Sequence, residues 1–120
     1  MAGTVTVSEE RLGSLKKIRW EWLSTAGGAA DLQTTYPYNG VIQRLVTDPD
    51  GSAAPTDDYD ITITDEDGYD VLMGAGANRD TATTEQVLAT SLGCVANDKL
   101  TLNVTNAGSA KAGVVVLYIR

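Results

Sequence analysis

Residues 14–23, Ser14-Leu-Lys-Lys-Ile18-Arg-Trp20-Glu-Trp22-Leu23, decide the fold. Ile18, Trp20 and Trp22 recur at every second position, with Lys17, Arg19 and Glu21 between them. Successive side chains of a strand point to opposite faces, so this stretch reads as a half-buried β-strand, apolar on one side and charged on the other. The two tryptophans share the apolar side with Ile18, which makes them anchors of a core rather than an exposed platform for stacking sugars.

The same period of two continues in both directions. Thr4 to Ser8 alternates Val5 and Val7 with Thr4 and Thr6; Tyr59, Ile61 and Ile63 alternate with Asp60, Thr62 and Thr64; Leu100, Leu102 and Val104 alternate with Thr101, Asn103 and Thr105. Turn residues punctuate these runs. Asn39-Gly40 signals a turn leading into a strand at Val41 to Thr47, and Asp48-Pro49-Asp50-Gly51 closes that strand. Asp65-Glu66-Asp67-Gly68 reads as a hairpin turn, with Tyr69 to Met73 as the returning partner. Tyr36-Pro37-Tyr38 suits an edge strand or an extended connection, because proline cannot donate to a ladder. Within Gly74 to Ser91, Thr83 to Gln86 fits a capping box opening one helical turn, and Gln86 to Thr90 fits a strand. The pattern predicts an all-β chain of 120 residues, a single β-sandwich of about seven or eight short strands, with the jelly roll as one candidate arrangement.

Val114 to Ile119 is apolar on both faces, Val114, Val116 and Tyr118 on one and Val115, Leu117 and Ile119 on the other. A free edge strand of that kind would expose a whole apolar row, so the segment is expected to be buried, either as a central strand or at a contact between copies. The six residues Val114 to Ile119 are therefore candidate assembly contacts. Arg11, Lys16, Lys17 and Arg19 join them as a basic cluster in a chain whose run from Asp48 to Asp70 holds nine carboxylates and no cation. Such a split can orient copies, and a cyclic trimer is the first oligomer to expect.

Sixteen acidic against nine basic residues give a net charge of −7, which repels phosphate backbones and anionic lipid; neither nucleic acid nor membrane is an expected partner. The start, Met1 to Val7, lacks a basic region followed by an apolar run, which favours synthesis in a cytoplasm. The lone Cys94 agrees with a reducing compartment. Histidine is absent, which removes the commonest general base, the usual triads and most zinc sites. What remains for chemistry is carboxylate: Asp57, Asp58, Asp60, Asp65, Asp67 and Asp70 would have to supply a glycosidase-like pair, for which a domain of this size offers little cleft. The Asp65 to Asp70 cluster raises calcium, but it lacks the twelve-residue loop and terminal bidentate Glu of an EF-hand, and a solvent-facing turn without tightly bound metal is expected. Gly74 to Arg79 is not followed by the Gly-Lys-Ser/Thr of a phosphate loop. No catalytic residue, cofactor or metal ligand is assigned, and the expectation is a binding protein, not an enzyme.

The run from Pro55 through Asp65-Glu-Asp-Gly-Tyr-Asp70 to Leu72, the stretch Gly74-Ala-Gly-Ala-Asn-Arg-Asp-Thr-Ala-Thr-Thr-Glu-Gln86, and the opening Thr4-Val-Thr-Val-Ser-Glu-Glu-Arg-Leu-Gly-Ser-Leu-Lys-Lys-Ile18 resemble small structural proteins encoded by tailed bacteriophages. The resemblance implies a virion component made in the host cytoplasm, with copies of itself and a major capsid or other virion protein as partners. Decoration or cementing of the head leads, ahead of a head-to-tail connector or tail component. The alternative from a different class is a soluble module binding calcium or carbohydrate through Asp65 to Asp70 or through Tyr36 and Tyr38.

Overall fold

The structure is a computed structural model and describes residues 4–120. Nine strands form two antiparallel sheets packed as a sandwich. They are β1 (Thr4–Leu12), β2 (Leu15–Leu23), β3 (Ala30–Gln33), β4 (Tyr38–Pro49), β5 (Asp60–Thr64), β6 (Glu85–Leu88), β7 (Cys94–Asp98), β8 (Thr101–Thr105) and β9 (Ala112–Ile119). The larger sheet runs in the order β1-β2-β9-β4-β6, and β7 pairs with the first residues of β4; the smaller sheet runs β3-β8-β5. A 3-10 turn at Ala89–Ser91 is the one helical element among the described residues.

The core lies where the period-two pattern places it. Ile18, Trp20 and Trp22 of β2 meet Leu117, Val115 and Gly113 of β9 in register, and all six are buried. Ile61, Ile63, Leu102 and Val104 close over them from the smaller sheet. Neither indole N–H finds a hydrogen-bond partner among the described residues, so packing alone holds the tryptophans. Trp22 also packs against Tyr59, with ring centroids 5.8 Å apart. Its indole covers Gly113: a Cβ there would lie 2.7 Å from Trp22 Cζ2 and 3.1 Å from the Asp48 carbonyl oxygen.

Strand β9 is the middle of the larger sheet, paired with β2 along one edge and β4 along the other. Of the two settings open to this segment, the central strand is the one observed. Val115, Leu117 and Ile119 point into the core and are fully buried, which removes them as assembly contacts. Val114, Val116 and Tyr118 point outward from the sandwich, where Val114 and Tyr118 are half-buried and Val116 is buried beneath its neighbours.

Several turn signals resolve differently. Asn39-Gly40 lies inside β4 and makes no turn, because Gly40, at φ 130°, lets the carbonyl of Arg120 approach where a Cβ would stand. Tyr69 to Met73 does not return as a strand. Only Thr64 and Asp70 form an isolated bridge, and β5 finds its ladder partner in β8. The Asp70 carboxylate accepts the N–H groups of Ile63 (3.2 Å), Leu72 (3.0 Å) and Gly74 (3.0 Å), which bends the chain into successive turns. Thr83 to Gln86 opens no helical turn; Glu85–Leu88 pairs with β4 instead. The strand that the sequence pattern does not mark is β7, Cys94–Asp98, where only Val95 is buried and no alternation appears.

One carboxylate fastens β1 to the connection between β3 and β4. Glu9 accepts the N–H groups of Thr35 (2.9 Å) and Tyr36 (3.2 Å) and the hydroxyl of Tyr38 (2.7 Å). Burial works to raise its pKa, but these donors outweigh it and hold the carboxyl below its usual value.

Two outcomes follow from this packing. Gly113→Ala is expected to cost about 1–3 kcal/mol by forcing the Trp22 ring and the β4 backbone apart, read as a lower midpoint in urea. Because the folded pKa of Glu9 is depressed, its contribution is present above the unfolded value and lost as pH falls through the folded one. Glu9→Gln should therefore lower the Tm near neutral pH, and the gap to wild type should close only as pH falls below the ordinary carboxylate range.

Candidate functional site

The outward face of the larger sheet is where the chain's candidate contacts collect. Register places them in rows across the strands. Lys17 of β2, Tyr118 of β9, Arg44 of β4 and Leu88 of β6 stand in one row. Arg19, Val116, Val46 and Gln86 form the next, and Glu21, Val114 and Asp48 the one beyond. The middle of the face is thus apolar; cations gather at one end, where Glu10 of β1 stands beside Lys17, and anions gather at the other.

Tyr118 organises the cationic end. The Arg44 guanidinium sits 4.2 Å from its ring centroid and the Lys17 ammonium 6.0 Å away, so the ring face meets two cations. Leu88 beside them is 72% exposed, and Leu15 and Val41 beyond them are 49% and 50% exposed. Arg19 reaches toward the other end and pairs with Glu21 at 3.0 Å. There a cleft of about 340 Å³ opens, lined by Glu21, Trp22, Asp48, Pro49, Asp50, Gly51 and Ala112–Val114. Asp50 is a turn cap as well as a cleft wall. It accepts the N–H groups of Ala53 (2.7 Å) and Ser52 (3.0 Å), and these hold its carboxyl below the ordinary range.

Sequence reasoning found half of this face. Lys17 and Arg19 lie on it, as do Val114, Val116 and Tyr118. Arg11 and Lys16 do not. They fall in register with each other on the inward side of their strands, at the open end of the sandwich. Arg11 lies over the Tyr36 ring at 3.6 Å, and Lys16 donates to the Asn39 carbonyl at 2.7 Å. Arg44, Val46 and Asp48 were missed, because the bulge between Ile42 and Arg44 resets which residues of β4 face out, and Leu88 was missed because the segment around it fitted a helical turn as well as a strand.

Of the candidate stacking residues, Trp20, Trp22 and Tyr38 are buried, and Tyr36 is exposed with Arg11 over its ring. The acidic turn gains a residue that local sequence does not suggest. Carboxylate oxygens of Asp65, Asp67 and Asp98 lie within 4.8 Å of one another, since the turn after β5 meets the turn between β7 and β8. Glu66 ties the two by accepting the Lys99 N–H at 3.0 Å. Asp65 already accepts two backbone N–H groups, from Asp67 and Tyr69. Three such oxygens are fewer than the six to eight that calcium takes, and water would have to supply the rest. Asp70 points elsewhere, into its own turn.

No family model matches the chain, and no curated protein matches it. Among solved structures, one titled "Crystal Structure of FLHE" aligns over 90% of this chain and 99% of that one, with 6% identity and a TM-score of 0.44.

At the acidic corner, desolvation and the carboxylates of Glu66, Asp67 and Asp65 hold the Asp98 carboxyl above its usual value. A raised folded pKa makes the neutral form the stabilising one, an effect present below the unfolded value and lost as pH rises through the folded one. Asp98→Asn is therefore expected to raise the Tm near neutral pH and to lose that advantage in acid. Millimolar calcium should leave the wild-type Tm nearly unchanged in a thermal melt, and a rise of several degrees would mark the corner as a cation site.

Proposed function

We propose that this chain is a structural assembly protein of a tailed-phage particle, docking onto other virion proteins through the outward face of its larger sheet. The observation that carries the reading is the composition of that face. An antiparallel sheet with one solvated side ordinarily alternates apolar inward and polar outward. Here Val46, Val114, Val116, Tyr118 and Leu88 interrupt the polar side, with the cations Lys17, Arg19 and Arg44 toward one end and Glu21 and Asp48 at the other, in a chain of net charge −7. An apolar strip rimmed by charge is what a protein–protein contact uses. The resemblance of the Thr4 to Ile18 and Pro55 to Gln86 segments to phage structural proteins supplies the setting, with the head surface ahead of the connector or tail.

Mass spectrometry of purified particles from the encoding virus is expected to find the chain at a fixed ratio to the major capsid protein. Leu88→Glu, at an exposed position, should fold normally by circular dichroism yet be depleted from particles. Absence of the wild-type chain from particles would sink the virion reading.

A further inference from the structure

The charges on the outward face are arranged so that the face is complementary to itself. β2 and β4 both run antiparallel to β9, hence parallel to one another. On β2, Lys17 stands level with Tyr118 and Glu21 level with Val114; on β4, Arg44 stands level with Tyr118 and Asp48 with Val114. Each strand therefore carries a cation and, four residues later, an anion, in the same sense and in the same two rows. Four residues of strand span about 13 Å. Between the rows lie Val116 and Val46, paired across β9 and β4.

We propose that two copies of this chain pair face to face through this surface, about a twofold axis that lies in the interface and crosses the strands at Val116 and Val46. The proposal rests on the docking role given to this face above and names its occupant as a second copy. Rotation about that axis reverses the strand direction and leaves each strand over its own counterpart. Val116 meets Val116 of the partner subunit, and Val46 meets Val46 of the partner subunit. Tyr118 comes over Val114 of the partner subunit. Lys17 comes to Glu21 of the partner subunit and Arg44 to Asp48 of the partner subunit, each contact made twice by symmetry.

Shape supports the charge argument. The cleft edged by Glu21, Asp48 and Asp50 sits at the anionic end, where the long side chains of the partner's Lys17 and the partner's Arg44 would enter. Facing sheets pack about 10 Å apart and at a small angle, a gap that long side chains bridge without moving the backbone. Arg19 falls on the axis near Arg19 of the partner subunit, and each is already matched by its own Glu21 at 3.0 Å. An acidic surface from another protein would satisfy only the cationic end and would bring no cation to Asp48 and Asp50 at the other.

The test is sedimentation velocity on the full chain and two charge-reversed variants, Lys17→Glu/Arg44→Glu and Glu21→Lys/Asp48→Lys, with circular dichroism to confirm folding. Wild type is expected to dimerise in the micromolar range, less tightly as salt is added. Each variant alone places like charges opposite one another and should dimerise at least about tenfold more weakly. An equimolar mixture of the two restores every opposite-charge contact and should recover the dimer. Wild type that stays monomeric, variants that dimerise unimpaired, or a mixture of folded variants that stays monomeric would each overturn the proposal. The docking reading is scored separately: a monomeric wild type whose incorporation into particles still depends on Leu88 removes the dimer and keeps the docking face. A dimer formed by a chain absent from particles does the reverse.

Discussion

Eight residues, Ala112–Ile119, hold hydrogen-bonded neighbours along both edges and side-chain contacts on both faces. In a sandwich this small, the strand that satisfies its backbone on two sides fixes the register of everything beside it. β2 lies against it so that Trp22 lands on Gly113 and Trp20 on Val115, and β4 lies against it so that Leu45 lands on Leu117. A slip of one residue would turn Val115, Leu117 and Ile119 outward and bring Tyr118 and Val116 into the core. The glycine under Trp22 opposes such a slip, since no other residue of β9 could lie beneath that indole at the observed distance.

Around this centre the acidic residues serve the backbone as much as the solvent. Glu9, Asp50, Asp60, Asp70 and Asp80 each accept backbone N–H groups in connections that have no ladder to supply an acceptor. Loop N–H groups left unpaired would be costly near the core, and a carboxylate is a strong acceptor for them. Much of the carboxylate run from Asp48 to Asp70 is therefore explained by turns that must be held. The carboxylates that remain, Glu10, Glu21 and Asp48 on the outward face, Asp67 and Asp98 at the corner, and Asp31 and Asp58 elsewhere, are a minority of the sixteen.

The outward face differs from the rest of the surface because β9 is apolar on both sides. A central strand with one solvated face needs only one apolar row, so the second row of Val114, Val116 and Tyr118 has no role in the core. Their outward position is what gives the face its apolar middle. The neighbouring strands β2 and β4 add Lys17 and Arg44 at one end and Glu21 and Asp48 at the other, the polarity on which the proposed pairing of two copies rests.

The alternation of Ile18, Trp20 and Trp22, and of Ile61 and Ile63, determined by sequence alone that the chain is all-β, which side of each strand is buried and that the tryptophans form the core. Those conclusions rest on side-chain direction along a strand, which is a local property. The partner of each strand was not legible. β5 pairs with β8, some forty residues on, and keeps only an isolated bridge to Tyr69–Met73, where the Asp70 carboxylate takes the Ile63 N–H that a returning strand would have met. The outward residues of β4 were not legible either, since a bulge between Ile42 and Arg44 shifts the count by one. Nor was the meeting of Asp98 with Asp65 and Asp67, which requires two turns from different sheets to close on one corner. Sequence fixed what each strand buries; only the tertiary structure decided what each strand stands beside, because pairing is settled by contacts between residues far apart in the chain.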